Sequence, residues 1–342
     1  MKNEDFAHSV ARIRVLETTL LNENEVERML LAKNAQEAYK IFNELDYSNH
    51  VGDISNVESF QEVINAGLKD SKDLITSIVP YKWVFDILWF RYDFHNIKTL
   101  LKAKFSGKEF KDIEDYMMPF GSIEVSKLKA SIMDGQDVSF KLKAEHETAV
   151  KEGINEAEKL FKETGDPQMI DLYLDRKFCK ISTDIAKASK HKFVLDLVKK
   201  YTDLKNIEAF IRLKAQGREE SILEQALTNS GTITKKRFTD LFNRDMNEFV
   251  EAMHSTDYAE VVRKGVKGFD EERSFATLEK ASYDHITDFI QVAKRIAFGP
   301  EPIFGYFWAK KNNALIIRTI MVGKLNGFEP EEIKSKLRNL YG

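Results

Sequence analysis

The sequence predicts an all-α protein made of three similar helical bundles. Three observations lead to this prediction. The chain has few helix-breaking residues, its apolar residues recur at helical spacing, and one helix with its following turn is written three times. A chain of 342 residues is also long enough for more than one domain.

The composition and the spacing of apolar residues favour helices over strands. Only six prolines and sixteen glycines are present, and both residue types interrupt helices. Near the N-terminus, Ile13, Leu16 and Leu20 recur at the spacing of one helical face. No segment alternates apolar and polar residues for long. The nearest candidate for a strand, residues 75–79, has helical neighbours on both sides.

An internal repeat gives the strongest evidence on domain organisation. Residues 83–109 and 193–219 align without a gap and are identical at eight of 27 positions. A second shift by 110 residues brings a weaker third copy into register. Four positions agree in all three copies: an isoleucine (Ile97, Ile207, Ile317), a lysine (Lys104, Lys214, Lys324), a glycine (Gly107, Gly217, Gly327) and a glutamate (Glu109, Glu219, Glu329).

The repeated residues have clear structural interpretations. Gly107 can adopt the left-handed conformation that ends a helix, and Lys104 lies in the last turn, where a cation favours the helix dipole. Asp93 and Asn96 are polar residues inside an apolar helix, and we expect them to bind a neighbouring helix end. The alternative is a charged functional site used in several copies. The predicted repeat-structural set is Asp93, Asn96, Lys104, Gly107, Asp203, Asn206, Lys214, Gly217, Lys324 and Gly327.

One face of the repeated helix differs between the copies. Residues 88–90 read Leu-Trp-Phe, residues 198–200 read Val-Lys-Lys, and residues 308–310 read Trp-Ala-Lys. We expect contacts there that differ between copies, either between bundles or with a partner. The candidates are Trp89, Phe90, Lys199, Lys200 and Trp308. For Trp89 and Phe90, packing against the chain itself is the favoured alternative, because adjacent large aromatics are usually buried.

Several functional classes find no support in the sequence. The net charge of −3 argues against nucleic-acid binding, since there is no basic excess to neutralise phosphates. There is no phosphate-binding loop and no zinc-binding pattern, so we expect no cofactor, no metal and no catalysis. The single cysteine, Cys179, suits a reducing compartment. The N-terminus lacks the pattern of a signal peptide, and no apolar run is long enough to enter a membrane.

Both ends of the chain and the first copy of the repeat resemble a known family. The segments are residues 11–21, residues 88–104 and the C-terminal block from residue 298. Together they resemble the C subunit of the prokaryotic V-type (A/V-type) rotary ATPase, whose eukaryotic relative is the d subunit of the V-ATPase. The matching positions in the C-terminal block are Gly299, Pro300, Glu301, Pro302, Gly305, Tyr306, Arg318, Gly323, Lys324 and Gly327. The family often has an acid where Asn313 stands.

The resemblance implies a fold and a role. It implies three helical bundles in a pseudo-threefold funnel, which we place at residues 1–114, 115–225 and 226–342. It implies a non-catalytic adaptor that joins the D and F subunits of the central shaft to the membrane rotor ring and transmits torque for sodium or hydrogen ion transport. The location would be cytoplasmic and peripheral to the membrane.

Three alternatives to this role stay open at the level of sequence. The first is a helical-repeat scaffold of another kind, such as a trafficking adaptor, which would form an open superhelix. The second is an all-α enzyme whose site is unrecognised, which would show a pocket lined by converging titratable groups. The third is a purely structural oligomer.

Overall fold

The prediction of an all-α protein is confirmed. A computed structural model describes residues 1–45 and 57–341, and within these residues it contains sixteen α-helices, short 3₁₀ turns and no strand. The helices are α1 (Ala7–Glu17), α2 (Glu23–Leu31), α3 (Ala35–Asn43), α4 (Phe60–Ile78), α5 (Lys82–Phe105), α6 (Val125–Ile132), α7 (Ala144–Thr164), α8 (Pro167–Ser189), α9 (Lys192–Ala215), α10 (Glu220–Ala226), α11 (Lys235–Phe242), α12 (Met246–Met253), α13 (Ala259–Glu272), α14 (Ala276–Ile290), α15 (Glu301–Leu325) and α16 (Pro330–Lys336).

The chain forms two compact units. Unit 1 comprises residues 1–82 and 283–342, and unit 2 comprises residues 83–282. Unit 1 is therefore built from both ends of the chain, whereas unit 2 is continuous. The predicted division into three copies, with boundaries after residues 114 and 225, stays a prediction.

Unit 2 contains two of the three long repeated helices. Helix α5 has 24 residues and is followed by two 3₁₀ turns and by α6, α7 and α8. Helix α9 also has 24 residues, and α10 to α14 follow it. The core is rich in aromatic residues: Phe210 stacks on Phe249 with ring centroids 3.9 Å apart, and both side chains are fully buried. Such packing contributes the largest apolar burial per residue.

Unit 1 is organised around the third long helix. Helix α15 has 25 residues and packs against α1, α3 and α4. The short helices beside it begin with asparagine caps. Asn22 accepts a hydrogen bond from the backbone of Glu25 at the start of α2, and Asn34 caps α3 in the same way. Each cap satisfies a backbone N–H that the helix itself leaves without a partner.

The three long helices end in the same turn. Gly107, Gly217 and Gly327 have φ values of +69°, +64° and +70°, which is left-handed backbone. In each case the next residue donates its backbone N–H to the carbonyl five residues earlier, at 2.9–3.0 Å. This is the hydrogen-bond pattern of a glycine helix terminator, and it turns the chain sharply away from the helix axis.

Candidate functional site

The repeated polar residues of α5 bind a segment that lies some thirty residues further along the chain. The Asp93 carboxylate is fully buried and accepts the backbone N–H groups of Ser122 and Ile123 at 2.8 and 2.9 Å. The Asn96 amide binds the backbone of Met118 in both directions, donating and accepting at 2.8 Å. We call the aspartate, the asparagine and the bound turn a polar cage.

Helix α9 carries a second polar cage, displaced by 110 residues. Asp203 accepts the backbone N–H groups of Thr232 and Ile233 at 2.8–3.0 Å. Asn206 donates to the Thr228 carbonyl at 2.9 Å and accepts its N–H at 3.2 Å. Every backbone partner in this cage is therefore the residue that the repeat period assigns to it. In both cages the polar side chains hold the segment that leads into the next short helix, α6 or α11.

The second cage has additional hydrogen bonds. Asp203 also accepts the hydroxyl groups of Thr232, at 2.5 Å, and of Tyr258, at 2.8 Å. Burial, together with the neighbouring Asp203 charge, raises the pKa of Tyr258 above its ordinary range. The tyrosine therefore keeps its proton and donates it to the carboxylate. The buried charge of Asp203 is thus satisfied by backbone and hydroxyl donors, as a buried carboxylate requires.

Two glycines make room for the cages. A Cβ atom built on Gly121 would lie 1.9 Å from the Asp93 Oδ1 atom, and one on Gly231 would lie 1.9 Å from the Asp203 Oδ1 atom. Either distance is far below van der Waals contact, so only glycine allows the backbone to approach the carboxylate. Our sequence analysis missed both residues. The signal was present, because Gly-Ser-Ile at 121–123 and Gly-Thr-Ile at 231–233 are also 110 residues apart.

The third long helix finds its partner at the other end of the chain. Asn313 stands at the position equivalent to Asp93 and Asp203. With its side-chain amide oriented to satisfy both neighbours, Asn313 accepts the backbone N–H of Leu21 at 2.7 Å and donates to the Ala309 carbonyl at 3.1 Å. Leu21 is buried and precedes the cap of α2, just as Ile123 and Ile233 precede the caps of α6 and α11.

The repeated lysines support the same correspondence. The Lys214 ammonium donates to the carbonyls of Phe242, at 2.5 Å, and Arg244 at the end of α11. The Lys324 ammonium donates to the Ala32 carbonyl at the end of α2, at 2.7 Å. Lys104 departs from this pattern and forms an ion pair with Glu158 of α7 at 2.8 Å. Within unit 1, the N-terminal segment therefore supplies the short helix that the third copy lacks downstream. This arrangement could not be read from the sequence, because no repeat period connects residue 21 to residue 313.

The positions that differ between copies are buried or paired within the chain. Trp89 and Phe90 are 3% and 0% exposed, and the Phe90 ring meets the His146 ring edge-on at 5.5 Å. Their burial agrees with packing against the chain itself. Trp308 is also buried in unit 1, where its indole N–H donates to the Thr287 hydroxyl at 2.9 Å.

The two lysines of copy two lie nearer the surface. Lys199 and Lys200 are both partly exposed. The Lys200 ammonium pairs with Asp257 at 2.8 Å and lies 5.6 Å from the centre of the Tyr258 ring. Of the five candidate contact residues, Lys199 and Lys200 thus remain the ones accessible to a partner. The contact role of all five stays a prediction.

Titratable groups close to the second cage are also engaged in pairs. Lys98 lies 2.5 Å from Asp175, and Lys205 lies 2.6 Å from Glu208. Desolvation alone would raise the pKa of the Asp175 carboxyl, but Lys98 and Lys205 beside it lower that pKa below its ordinary value. Burial raises the pKa of the Cys179 thiol to about 12, so this thiol stays protonated and is a poor nucleophile. These groups bind one another and hold helices together.

Two further findings apply to residues 1–45 and 57–341. Within that part of the chain, no three His, Cys, Asp or Glu side chains are grouped closely enough to hold a metal ion. The helices in the same residues were also compared with the length and hydropathy that a membrane span needs, and none reaches both.

Comparison with known proteins assigns the family. The model of the ATP synthase (C/AC39) subunit family matches residues 9–336, which is nearly the whole chain. The chain belongs to this family. The match includes all three copies of the repeated helix, both polar cages and the N-terminal segment bound by Asn313 and Lys324.

Individual relatives of this C/AC39 chain agree in kind and in length. It is 24% identical over 339 residues to the C subunit of the V-type sodium ATPase of Enterococcus hirae, covering 96% of this chain and 97% of that protein. It is 24% identical over 346 residues to the C subunit of the A-type ATP synthase of Methanocaldococcus jannaschii, covering 98% and 86%. The corresponding A-type ATP synthase protein of Pyrococcus furiosus is 22% identical over 343 residues, covering 97% and 90%.

Proposed function

We propose that this chain is the non-catalytic rotor adaptor of a V-type or A-type rotary ATPase. In this role it joins the D and F subunits of the central shaft to the membrane rotor ring and transmits torque for ion transport. The observation that carries the proposal is the match to the ATP synthase (C/AC39) subunit family along residues 9–336. The relatives from Enterococcus hirae and Methanocaldococcus jannaschii are named as subunits of such ATPases, and their lengths agree with this chain.

The polar cages support a mechanical role. An adaptor that transmits torque must resist deformation, and packed interiors with satisfied polar contacts transmit strain. Asp93 and Asp203 each attach a long helix to the segment that follows it, through fully buried hydrogen bonds. Asn313 attaches the third long helix to the start of the chain. We propose that these contacts stiffen three related bundles, arranged as a pseudo-threefold funnel around the foot of the shaft.

The proposal includes a location and excludes an activity. The adaptor would lie on the cytoplasmic side of the membrane, bound to the rotor ring without entering the lipid. The coupling ion is carried by the ring, so the adaptor would serve a sodium or a proton machine equally. An unrelated helical-repeat scaffold is not favoured, because the family match covers almost the entire chain.

Binding of purified components tests the proposal. The full chain is mixed with the purified D–F shaft pair and, separately, with the detergent-solubilised rotor ring, and complexes are detected by sedimentation velocity. We expect a complex with each partner and a ternary complex when all are present. ATP hydrolysis by the chain alone is measured in parallel, and we expect none. Failure to bind either partner, or nucleotide hydrolysis by the isolated chain, would overturn the proposal.

A further inference from the structure

Two elements of unit 1 lie outside the repeated pattern. The long helices α5 and α9 follow the preceding helix after junctions of residues 79–81 and 190–191, whereas α15 follows α14 only after residues 291–300. Helix α1 is also additional. The third copy continues from α16 to the short helix α2, and α1 has no counterpart between the equivalent helices α10 and α11. Elements added to a repeat are where one copy can acquire a contact that the others lack.

The two added elements are joined to each other by one arginine. The Arg14 guanidinium on α1 donates to the carbonyls of Ala293 and Ile296 at 2.7 and 2.6 Å. Its other nitrogen binds the Glu17 carboxylate at 2.6 Å, which holds the side chain in this orientation. The segment 291–300 is therefore fixed against α1. Val15, next to Arg14, and Val292, next to Ala293, are brought to the same region of the surface.

The joined elements expose large apolar side chains. Val15 is 69% exposed, Val292 47% and Phe298 53%. Isolated exposed apolar residues are ordinary, but three on two elements fixed together form a patch, and patches of this kind mark contact sites. We define these three residues as the α1 patch.

The charges beside the α1 patch are mainly positive. Arg12 on α1, and Lys294 and Arg295 in the inserted segment, are all exposed. The Lys294 ammonium also lies 4.9 Å from the centre of the Tyr341 ring. Glu17 is paired with Arg14, which leaves Asp288 near the end of α14 as an exposed acid on the adjoining helix. A partner surface that complements this pattern has carboxylates around an apolar contact.

We propose that the α1 patch is a docking surface for a partner protein that presents an apolar side chain surrounded by acidic residues. A protein fits better than an anionic membrane, because α1 is not free to lie in a lipid interface. Its apolar residues Val10 and Ile13 are buried in unit 1, so α1 presents no broad apolar face to lipid. The test uses the partners of the proposed function and so rests on that function.

The experiment compares two variants with matched controls. Arg12→Glu combined with Arg295→Glu reverses the charge of the patch rim, and Val15→Ser combined with Phe298→Ser removes its apolar part. The controls are Lys40→Glu, an exposed cation of unit 1, and Tyr116→Ser, a 66% exposed aromatic of unit 2. Helical content and melting temperature are measured for every variant, so that a folding defect is recognised.

Affinity for the D–F pair and for the rotor ring is measured for each variant at low and high salt. We expect both patch variants to lose at least tenfold in affinity for one of these partners, with the charge-reversed variant also losing the salt dependence. The controls should bind as the unchanged chain does. If the unchanged chain binds a partner and both patch variants bind it equally well, the docking proposal is overturned while the proposed function stands.

Two other outcomes also count against the docking proposal. If the unchanged chain binds neither partner, both proposals fail together. Vesicles of phosphatidylcholine with phosphatidylserine serve as the lipid probe. Charge-dependent binding to these vesicles, combined with unaltered protein binding, would assign the patch to a membrane surface instead.

Discussion

Replacing Asp203 with alanine should destabilise unit 2 by about 3–6 kcal/mol. The carboxylate is fully buried and accepts the backbone N–H groups of Thr232 and Ile233 and the hydroxyl of Tyr258. Each buried donor left without a partner costs about 1–3 kcal/mol, because burial keeps bulk solvent from taking the place of the lost acceptor. Asp203→Asn keeps one acceptor, so we expect about half of the loss.

The assay can report unit 2 by itself. The chain has three tryptophans, of which Trp83 and Trp89 lie in unit 2 and Trp308 lies in unit 1. In a Trp308→Phe background, urea unfolding followed by tryptophan fluorescence therefore reports unit 2. With a slope of about 2–3 kcal/mol per molar urea, the predicted loss shifts the midpoint by about 1–3 M. The slope itself should stay unchanged.

A control separates the cage from a general effect of removing charge. Asp240 is an exposed aspartate of unit 2, and Asp240→Ala should change stability by no more than about 0.5 kcal/mol. If Asp203→Ala shifts the midpoint no more than Asp240→Ala does, the cage does not hold α9 to the turn at 228–233. The structural interpretation of the repeated aspartates would then be wrong.

Three further substitutions test other parts of the structure. Gly121→Ala should lower the stability of unit 2 by at least about 2 kcal/mol, because its Cβ would meet Asp93, whereas Gly153→Ala in the middle of α7 should be neutral or stabilising; equal effects would refute the steric argument. Gly107→Ala should cost about 1 kcal/mol from its φ of +69° alone, since a Cβ there meets nothing within 4 Å, and a melting temperature that does not fall would contradict this. Replacing Trp89 and the adjoining phenylalanine with lysine should lower the melting temperature; unchanged stability with weaker shaft binding would assign these residues to a partner instead.

The helices and the repeat could be predicted because their causes are local. The helical spacing of apolar residues is visible in any short window, and the ungapped match of residues 83–109 to 193–219 fixes the period directly. The glycine terminators were also readable, because a glycine just after a lysine-containing last turn is a local signature. These features need no knowledge of distant contacts.

The partners of the buried polar residues depend on tertiary structure and were harder to predict. Residues 118–123 and 228–233 share little beyond a glycine, a hydroxyl residue and an isoleucine, so their relation to Asp93 and Asp203 emerged only from the fold. The third copy was less predictable still. Its aspartate is replaced by Asn313, and the bound segment begins at Leu21, at the opposite end of the sequence. Periodicity along the chain cannot reveal a repeat that is completed by the chain's own beginning.

Ion transport by the reconstituted ATPase tests the adaptor role most directly. The complex is assembled in vesicles with and without this chain, and ATP hydrolysis and ion uptake are measured on the same samples. The account predicts that omission stops ion uptake while the catalytic head continues to hydrolyse ATP, since torque no longer reaches the rotor ring. Adding the purified chain back should restore uptake. Normal ion uptake without the chain would contradict the coupling role, and loss of ATP hydrolysis by the detached head would indicate a part in catalysis instead.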